Sequence, residues 1–262
     1  NYYGIRGYYQ YNFMVTGNQL SNASNSTTVY ALSFGYCQNA SNISGNRVTA
    51  SGSSGNYLLY LTSCTGTAAS AGLYSNNFLS YTGSGSTIYG IHISGSSYQN
   101  IFHNSVNITG GSTSSRGIYQ YSTSNGNLRV VNNIICMQNG GYAVYTGTSY
   151  LGGFIEMDHN DLYTNGTNLA YVSSNLPDLS AWQSTTGLDS NSVSVNPGFA
   201  SATALYPGNA VVNDMGKPLP EVQTDIDGKL RSLIAPDPGA AEFDPPSVDL
   251  AVLAWESPTV HS

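Results

Sequence analysis

Six asparagines, Asn18, Asn46, Asn77, Asn104, Asn133 and Asn160, recur at intervals of 28, 31, 27, 29 and 27 residues, each inside the same apolar frame. Three residues before each stands Val15, Ile43, Tyr74, Ile101, Val130 or Met157. Two residues after each stands Leu20, Val48, Leu79, Val106, Ile135 or Leu162. A second track runs in phase with the first: Ile5, Leu32, Tyr60, Ile91, Ile118 and Val144. Self-similarity at a fixed period of about 20–50 residues marks a repeat architecture, and it constrains the fold before any local propensity does.

The segments between the asparagines favour strands. They are rich in Ser, Thr, Gly, Asn and Tyr and poor in the Ala, Leu, Glu, Lys and Gln that helical repeats need. Apolar residues come in short alternating runs, such as Ile91-His92-Ile93 and Val106-Asn107-Ile108, punctuated by Gly and Asn clusters with turn chemistry. Short strands at this period predict an all-β parallel β-helix of about 28 residues per coil, with coils stacked roughly 4.8 Å apart. The recurrent Asn then lies over its own copies. Its amide can donate to one neighbour and accept from the other, and Asn also tolerates the left-handed backbone of a coil corner.

The repeat resembles the right-handed parallel β-helix proteins of the pectate-lyase-like group. Two later stretches carry the resemblance further. Asp178-Leu179-Ser180-Ala181-Trp182-Gln183, with Thr186-Gly187-Leu188-Asp189, Ser192 and Asn196-Pro197-Gly198-Phe199, is similar to the end of many secreted bacterial β-helices. Asp225-Ile226-Asp227-Gly228-Lys229-Leu230-Arg231 and Pro236-Asp237-Pro238-Gly239-Ala240-Ala241-Glu242-Phe243 resemble their closing motif, with Pro238 and Ala241 departing from it. The resemblance covers about residues 1–243. It implies a secreted, cell-surface bacterial setting and further domains in the same polypeptide, and it is nearly silent on activity.

Charge bears on partners. Only 8% of residues are charged, against about 25% in an ordinary soluble protein. Residues 1–155 contain no Asp or Glu and carry Arg6, Arg47, Arg116 and Arg129; all 14 acids lie in residues 156–262. Four scattered arginines make no basic stripe, so nucleic acid is not expected as a partner. No apolar run reaches the roughly 18 residues of a membrane span. Tyr3-Gly4-Ile5 already fits the repeat, so the chain reads as a mature or excised piece of something longer.

Candidate chemistry is sparse. Sugar-cleaving β-helix enzymes use paired carboxylates or calcium with a basic residue. Glu156 and Asp158 flank inward Met157 and should point outward from one strand, about 7 Å apart; they are the catalytic pair if the protein is an enzyme. Against that, Arg129 lies one coil earlier and should pair with Glu156. Asp225 and Asp227 resemble half of a calcium loop, a structural calcium being the alternative to a turn whose Asp side chains bond backbone amides. Of the 21 tyrosines, Tyr119, Tyr121 and Tyr145 are the candidates for stacking on sugar rings, the alternative being β-propensity and packing. His103 and His159 align with Asn132 beside the ladder, in corner roles; His92, on an alternating strand, is expected to be exposed. Cys37 and Cys64 are one coil apart and should touch, either as small buried side chains or, in a secreted chain, as a disulfide. Cys136 should pack inside on another strand.

The organisation follows: regular coils over 1–168, irregular final coils with a short helix over 169–243, and a linker with the first strand of a truncated β-sandwich domain over 244–262. Two functions compete. One is a non-catalytic structural or adhesive module whose partner is an extracellular glycan or another surface protein. The other is a polysaccharide lyase or glycoside hydrolase.

Overall fold

The computed structural model describes residues 1–22, 27–122 and 126–245. They form a parallel β-solenoid of about six coils with three sheets. The first sheet takes one strand per coil: Tyr2–Tyr8, Val29–Gly35, Asn56–Thr62, Ile88–Ser94, Arg116–Ser122, Tyr142–Thr146 and Ala170–Val172. The second takes Met14–Thr16, Asn42–Ser44, Gly72–Ser75, Gln99–Phe102, Leu128–Val131 and Phe154–Asp158. The third takes Gln19–Asn22, Arg47–Ala50, Phe78–Tyr81, Ser105–Ile108, Ile134–Met137 and Asp161–Thr164. Among the described residues every strand pairing between coils is parallel; an antiparallel strand pair, Ala170–Val172 with Ser174–Leu176, closes the first sheet, and isolated antiparallel bridges occur at Thr67–Ser70 and Thr224–Leu230. The Val248–Trp255 alternation lies outside the described residues, as does the rest of 246–262.

Both apolar frames around the asparagines stack in single file. Val15, Ile43, Tyr74, Ile101, Val130 and Met157 are register partners down the second sheet. Leu20, Val48, Leu79, Val106, Ile135 and Leu162 are partners down the third. The first-sheet track needs one correction. Its third member is Leu59, which pairs with Leu32 and Ile91, whereas Tyr60 pairs with Ser33 and His92 on the outer face. Leu58 and Leu59 both turn inward, so strict alternation breaks in this strand and displaces the track by one residue.

The corner between the second and third sheets is two residues long. A residue with φ near +50 to +66°, Gly17, Gly45, Asn76, His103, Asn132 or His159, is followed by the ladder asparagine. The left-handed residue is therefore the one before each ladder Asn, not the Asn itself as the sequence suggests. That division frees the Asn side chain to point inward.

The far end is plugged. The α-helix α1 (Leu179–Thr186) starts at Asp178, whose carboxylate accepts the Ala181 N–H at 2.8 Å, and stops at Gly187 with φ 72°. It drives Trp182, fully buried, against the last coil. Among the described residues no helix covers the first coil, and its Ile5, Phe13, Val15 and Leu20 are only half-buried. From Val193, which bridges Asp161, the chain runs back as an irregular strap along the second–third corner to Arg47 in the second coil. No helix among the described residues is long and apolar enough to cross a membrane.

Candidate functional site

The asparagine ladder is the best-defined polar arrangement in the molecule. Each Nδ2 donates to the Oδ1 of the next copy: Asn18 to Asn46 (2.9 Å), Asn46 to Asn77 (2.9 Å), Asn77 to Asn104 (2.8 Å), Asn104 to Asn133 (3.0 Å) and Asn133 to Asn160 (3.1 Å). Each backbone N–H donates to that same oxygen at 2.8–3.2 Å. From Asn46 onward, the second amide hydrogen goes back to a carbonyl on the preceding coil, such as Tyr74 for Asn104. A buried amide is costly unless satisfied, and here each interior copy is.

The ladder ends in a substitution that sequence reading missed. Asp189 Oδ1 receives Asn160 Nδ2 at 2.9 Å, while Ser192 Oγ takes the Asn160 N–H at 2.8 Å and donates to Asp189 at 2.6 Å. Together these two side chains do what a seventh Asn would. The other oxygen of Asp189 accepts Trp182 Nε1 at 2.7 Å, which ties the ladder to the plug. Burial pushes the Asp189 carboxyl above its ordinary value despite these donors.

Glu156 and Asp158 are both committed to protein partners. Arg129 faces Glu156 in register and donates Nε at 2.8 Å, and Lys217 Nζ lies 2.5 Å away on the other side. Burial pushes the Glu156 carboxyl up, but these two hydrogen bonds outweigh it and leave it below the usual carboxylate range. Asp158 accepts the backbone N–H and Nδ2 of Asn191, each at 2.7 Å, and is likewise held low against the opposing effect of burial. Neither carboxyl keeps a proton near neutral pH, as a general acid must. A lowered folded pKa stabilises above the unfolded value and loses that contribution as pH falls through the folded value. Glu156→Gln is therefore expected to cost about 0.5–1.5 kcal/mol at neutral pH and progressively less as the pH is lowered through the acid range, read as the shift in urea midpoint across a pH series.

Asp225 and Asp227 do not converge. Asp225 Oδ1 accepts the N–H groups of Asp227 (2.9 Å) and Lys229 (2.8 Å), its Oδ2 accepts that of Glu242 (3.0 Å), and Asp227 turns away to Arg47 at 2.6 Å. The closing motif as a whole is a buried clasp. Arg231 donates to Glu242 (2.6 Å), the carbonyls of Asp237 and Gly239, and Asn76 Oδ1 (2.8 Å). Gly239, at φ +83°, sits where a Cβ would meet Ile134 and Ser105 at 2.8 Å. His103 is fully buried beneath this strap, with Nδ1 3.1 Å from the Asp237 carbonyl and Nε2 2.8 Å from Asn132 Nδ2. Desolvation, aided by nearby Arg231, keeps it neutral.

The outer face of the first sheet is aromatic along its length. One column reads Tyr3, Tyr30, Tyr57, Tyr89, Arg116 and Tyr142; the next reads Arg6, Ser33, Tyr60, His92, Tyr119, Tyr145 and Tyr171. Tyr30–Tyr57 and Tyr57–Tyr89 stack at 4.5 Å with planes within 10°. His92 is not exposed: the rings of Tyr57, Tyr60, Tyr89, Tyr119 and Tyr121 surround it, it is 8% accessible, and desolvation together with Arg116 lowers it to about 4. The exposure expected from alternation fails because its register neighbours are large.

Tyr119, Tyr121 and Tyr145 do come together. Tyr119 lies 5.7 Å from Tyr121 and 5.6 Å from Tyr145, both edge-on. Arg116 sits 4.1 Å over Tyr119 and 3.8 Å over Tyr145, and Tyr171 stacks on Tyr145 at 4.3 Å. The Tyr145 ring is thus in contact with Arg116 and Tyr171, while Tyr121 stays 55% exposed. Residues 1–155 hold no carboxylate to pair with Arg116. The chain matches no protein-family model, no curated protein and no solved structure.

Proposed function

We propose that the chain is a non-catalytic structural and adhesive module of a secreted or cell-surface protein, binding an extracellular glycan on the aromatic face around Tyr121. One observation carries this reading. The outer face of the first sheet is a tyrosine-rich surface containing Arg116, which lies over Tyr119 and Tyr145 and has no carboxylate partner among the described residues, whereas both candidate catalytic carboxylates are locked in ion pairs and amide bonds. A sugar ring stacks on an exposed aromatic face. The closely stacked rings of the Tyr30–Tyr57–Tyr89 column spend their faces on each other and present edges. Tyr121 is the exposed ring of the candidate cluster, with Tyr119 and Tyr145 forming the floor beside it. Extended apolar surface of this kind marks an interaction site in a soluble protein.

The test is a glycan array followed by titration calorimetry on any hit. Tyr121→Ala is expected to weaken binding by about 2- to 12-fold, the loss of one aromatic contact. Glu156→Gln with Asp158→Asn should leave binding unchanged. An acidic polysaccharide turned over by the parent chain and spared by that double variant would reverse the reading in favour of an enzyme. Absence of binding to every glycan would remove the glycan as partner.

A further inference from the structure

We propose that Cys37 and Cys64 are a disulfide-forming pair, oxidised by exchange with a low-molecular-weight disulfide, and that the bond staples the second coil to the third. Placement carries the proposal. Gly35 faces Thr62 in register and Gln38 bridges Thr65, so Cys37 lies opposite Cys64 on the next coil. The Thr65 N–H donates to the Cys37 carbonyl at 2.8 Å. Neighbouring parallel strands lie about 4.8 Å apart, inside the roughly 4.4–6.8 Å Cα span that a disulfide bridges. Both side chains point inward, each 1% exposed, and both are free thiols in this structure. Cys37 Sγ lies 3.4 Å from the carbonyls of Gly7 and Gly35, and Cys64 Sγ lies 3.5 Å from that of Phe34, so each thiol points back along the stack toward the preceding coil.

The pair is asymmetric in position. Cys37 Sγ lies against the Gly7 carbonyl of the first coil, whereas Cys64 lies one coil further in, where contact with Cys37 and burial push its thiol up. Cys37 is therefore the first nucleophile. Its thiolate attacks one sulfur of the small disulfide, forming a mixed disulfide and expelling one small thiolate. Cys64 then attacks the Cys37 sulfur, forming the protein disulfide and expelling the second. Two electrons pass to the reagent, and the two thiol protons end on its two thiols. Access comes through the first coil, which covers Cys37 and whose core residues Ile5, Phe13, Val15 and Leu20 are only half-buried; segments with few buried apolar contacts open most readily. Cys136 is the internal control. It is buried on the third sheet, and its register neighbours are Asn107 and Tyr163, not cysteines.

The experiment incubates the native protein with oxidised glutathione, quenches with acid, unfolds, alkylates with a maleimide and maps the peptides. Two of the three thiols should disappear, with Cys37 and Cys64 in one cross-linked peptide pair and Cys136 alkylated. Cys37→Ser should give no internal cross-link. Three alkylated cysteines in the parent chain, or any bond that includes Cys136, would overturn the proposal. The outcome is independent of glycan binding, so either reading can fail alone.

Discussion

Asn104→Ala is expected to lower stability by about 3–5 kcal/mol, the largest loss from any single change on the inner face of the corner. The Asn104 oxygen accepts both the N–H and the Nδ2 of Asn77, and its amide donates to Asn133, Tyr74 and Phe102. Alanine leaves the Asn77 N–H and the Tyr74 carbonyl without these side-chain partners in a site where all these residues are fully buried. Each orphaned buried group costs about 1–3 kcal/mol, and coupled networks lose more than isolated pairs. Urea unfolding reads the loss as a shift in midpoint. A leucine at the same position tests the chemistry separately from the volume: it fills space and restores no hydrogen bond, so it should not recover the stability.

Arg231→Met is expected to cost a similar 3–5 kcal/mol, but locally. Arg231 is 5% exposed and joins four acceptors across the clasp, including Glu242 and the corner residue Asn76. Removing one partner of a buried ion pair strands the other charge, which costs more than the pair contributes. The rest of the strap is held by two small apolar clusters, Phe78 with Leu205, Ala240 and Ala241, and Phe102 with Val131, Leu219 and Val222, and by half-exposed ion pairs such as Arg47–Asp227 and Lys217–Glu156. Limited proteolysis should therefore cleave within residues 196–243 while the coils survive. Adding Glu242→Leu to Arg231→Met should return part of the stability, because no buried charge is then left alone. Cleavage within the coils before the strap would show that the strap is not the element Arg231 holds.

How much of this was legible in the residues depends on what sets each feature. The ladder and its flanking columns depend only on period, because stacking puts equal offsets in register; hence Val15, Ile43 and Ile101 could be placed without coordinates. The helix cap Asp178 and the Arg129–Glu156 pair were local or one coil apart, and they too were readable. The slip at Tyr60 arose where two adjacent leucines, Leu58 and Leu59, are both buried, a break in alternation that the sequence pattern does not encode. The burial of His92 comes from rings on the two neighbouring strands, Tyr60 and Tyr119, and from Tyr89 on its own strand, which alternation alone does not reveal. The clasp was recognised as a motif, but its role was not, since Arg231 meets Asn76 across 155 residues of sequence. Asp189 lies 29 residues after Asn160, on the period, but its residue type differs and its frame positions are Thr186 and Asn191 in place of apolar residues, so no repeat signal marks it.

The account rests on one claim, that a directional file of amides holds the coils in register. Thermal unfolding of the six single alanine variants tests it most directly. Asn18 donates to Asn46 but receives no donor from another ladder residue, and it is only half-buried. Asn18→Ala should therefore cost under about 1 kcal/mol, and the four interior variants from Asn46 to Asn133 several times more. Equal losses at Asn18 and Asn104, or negligible losses at both, would contradict the claim.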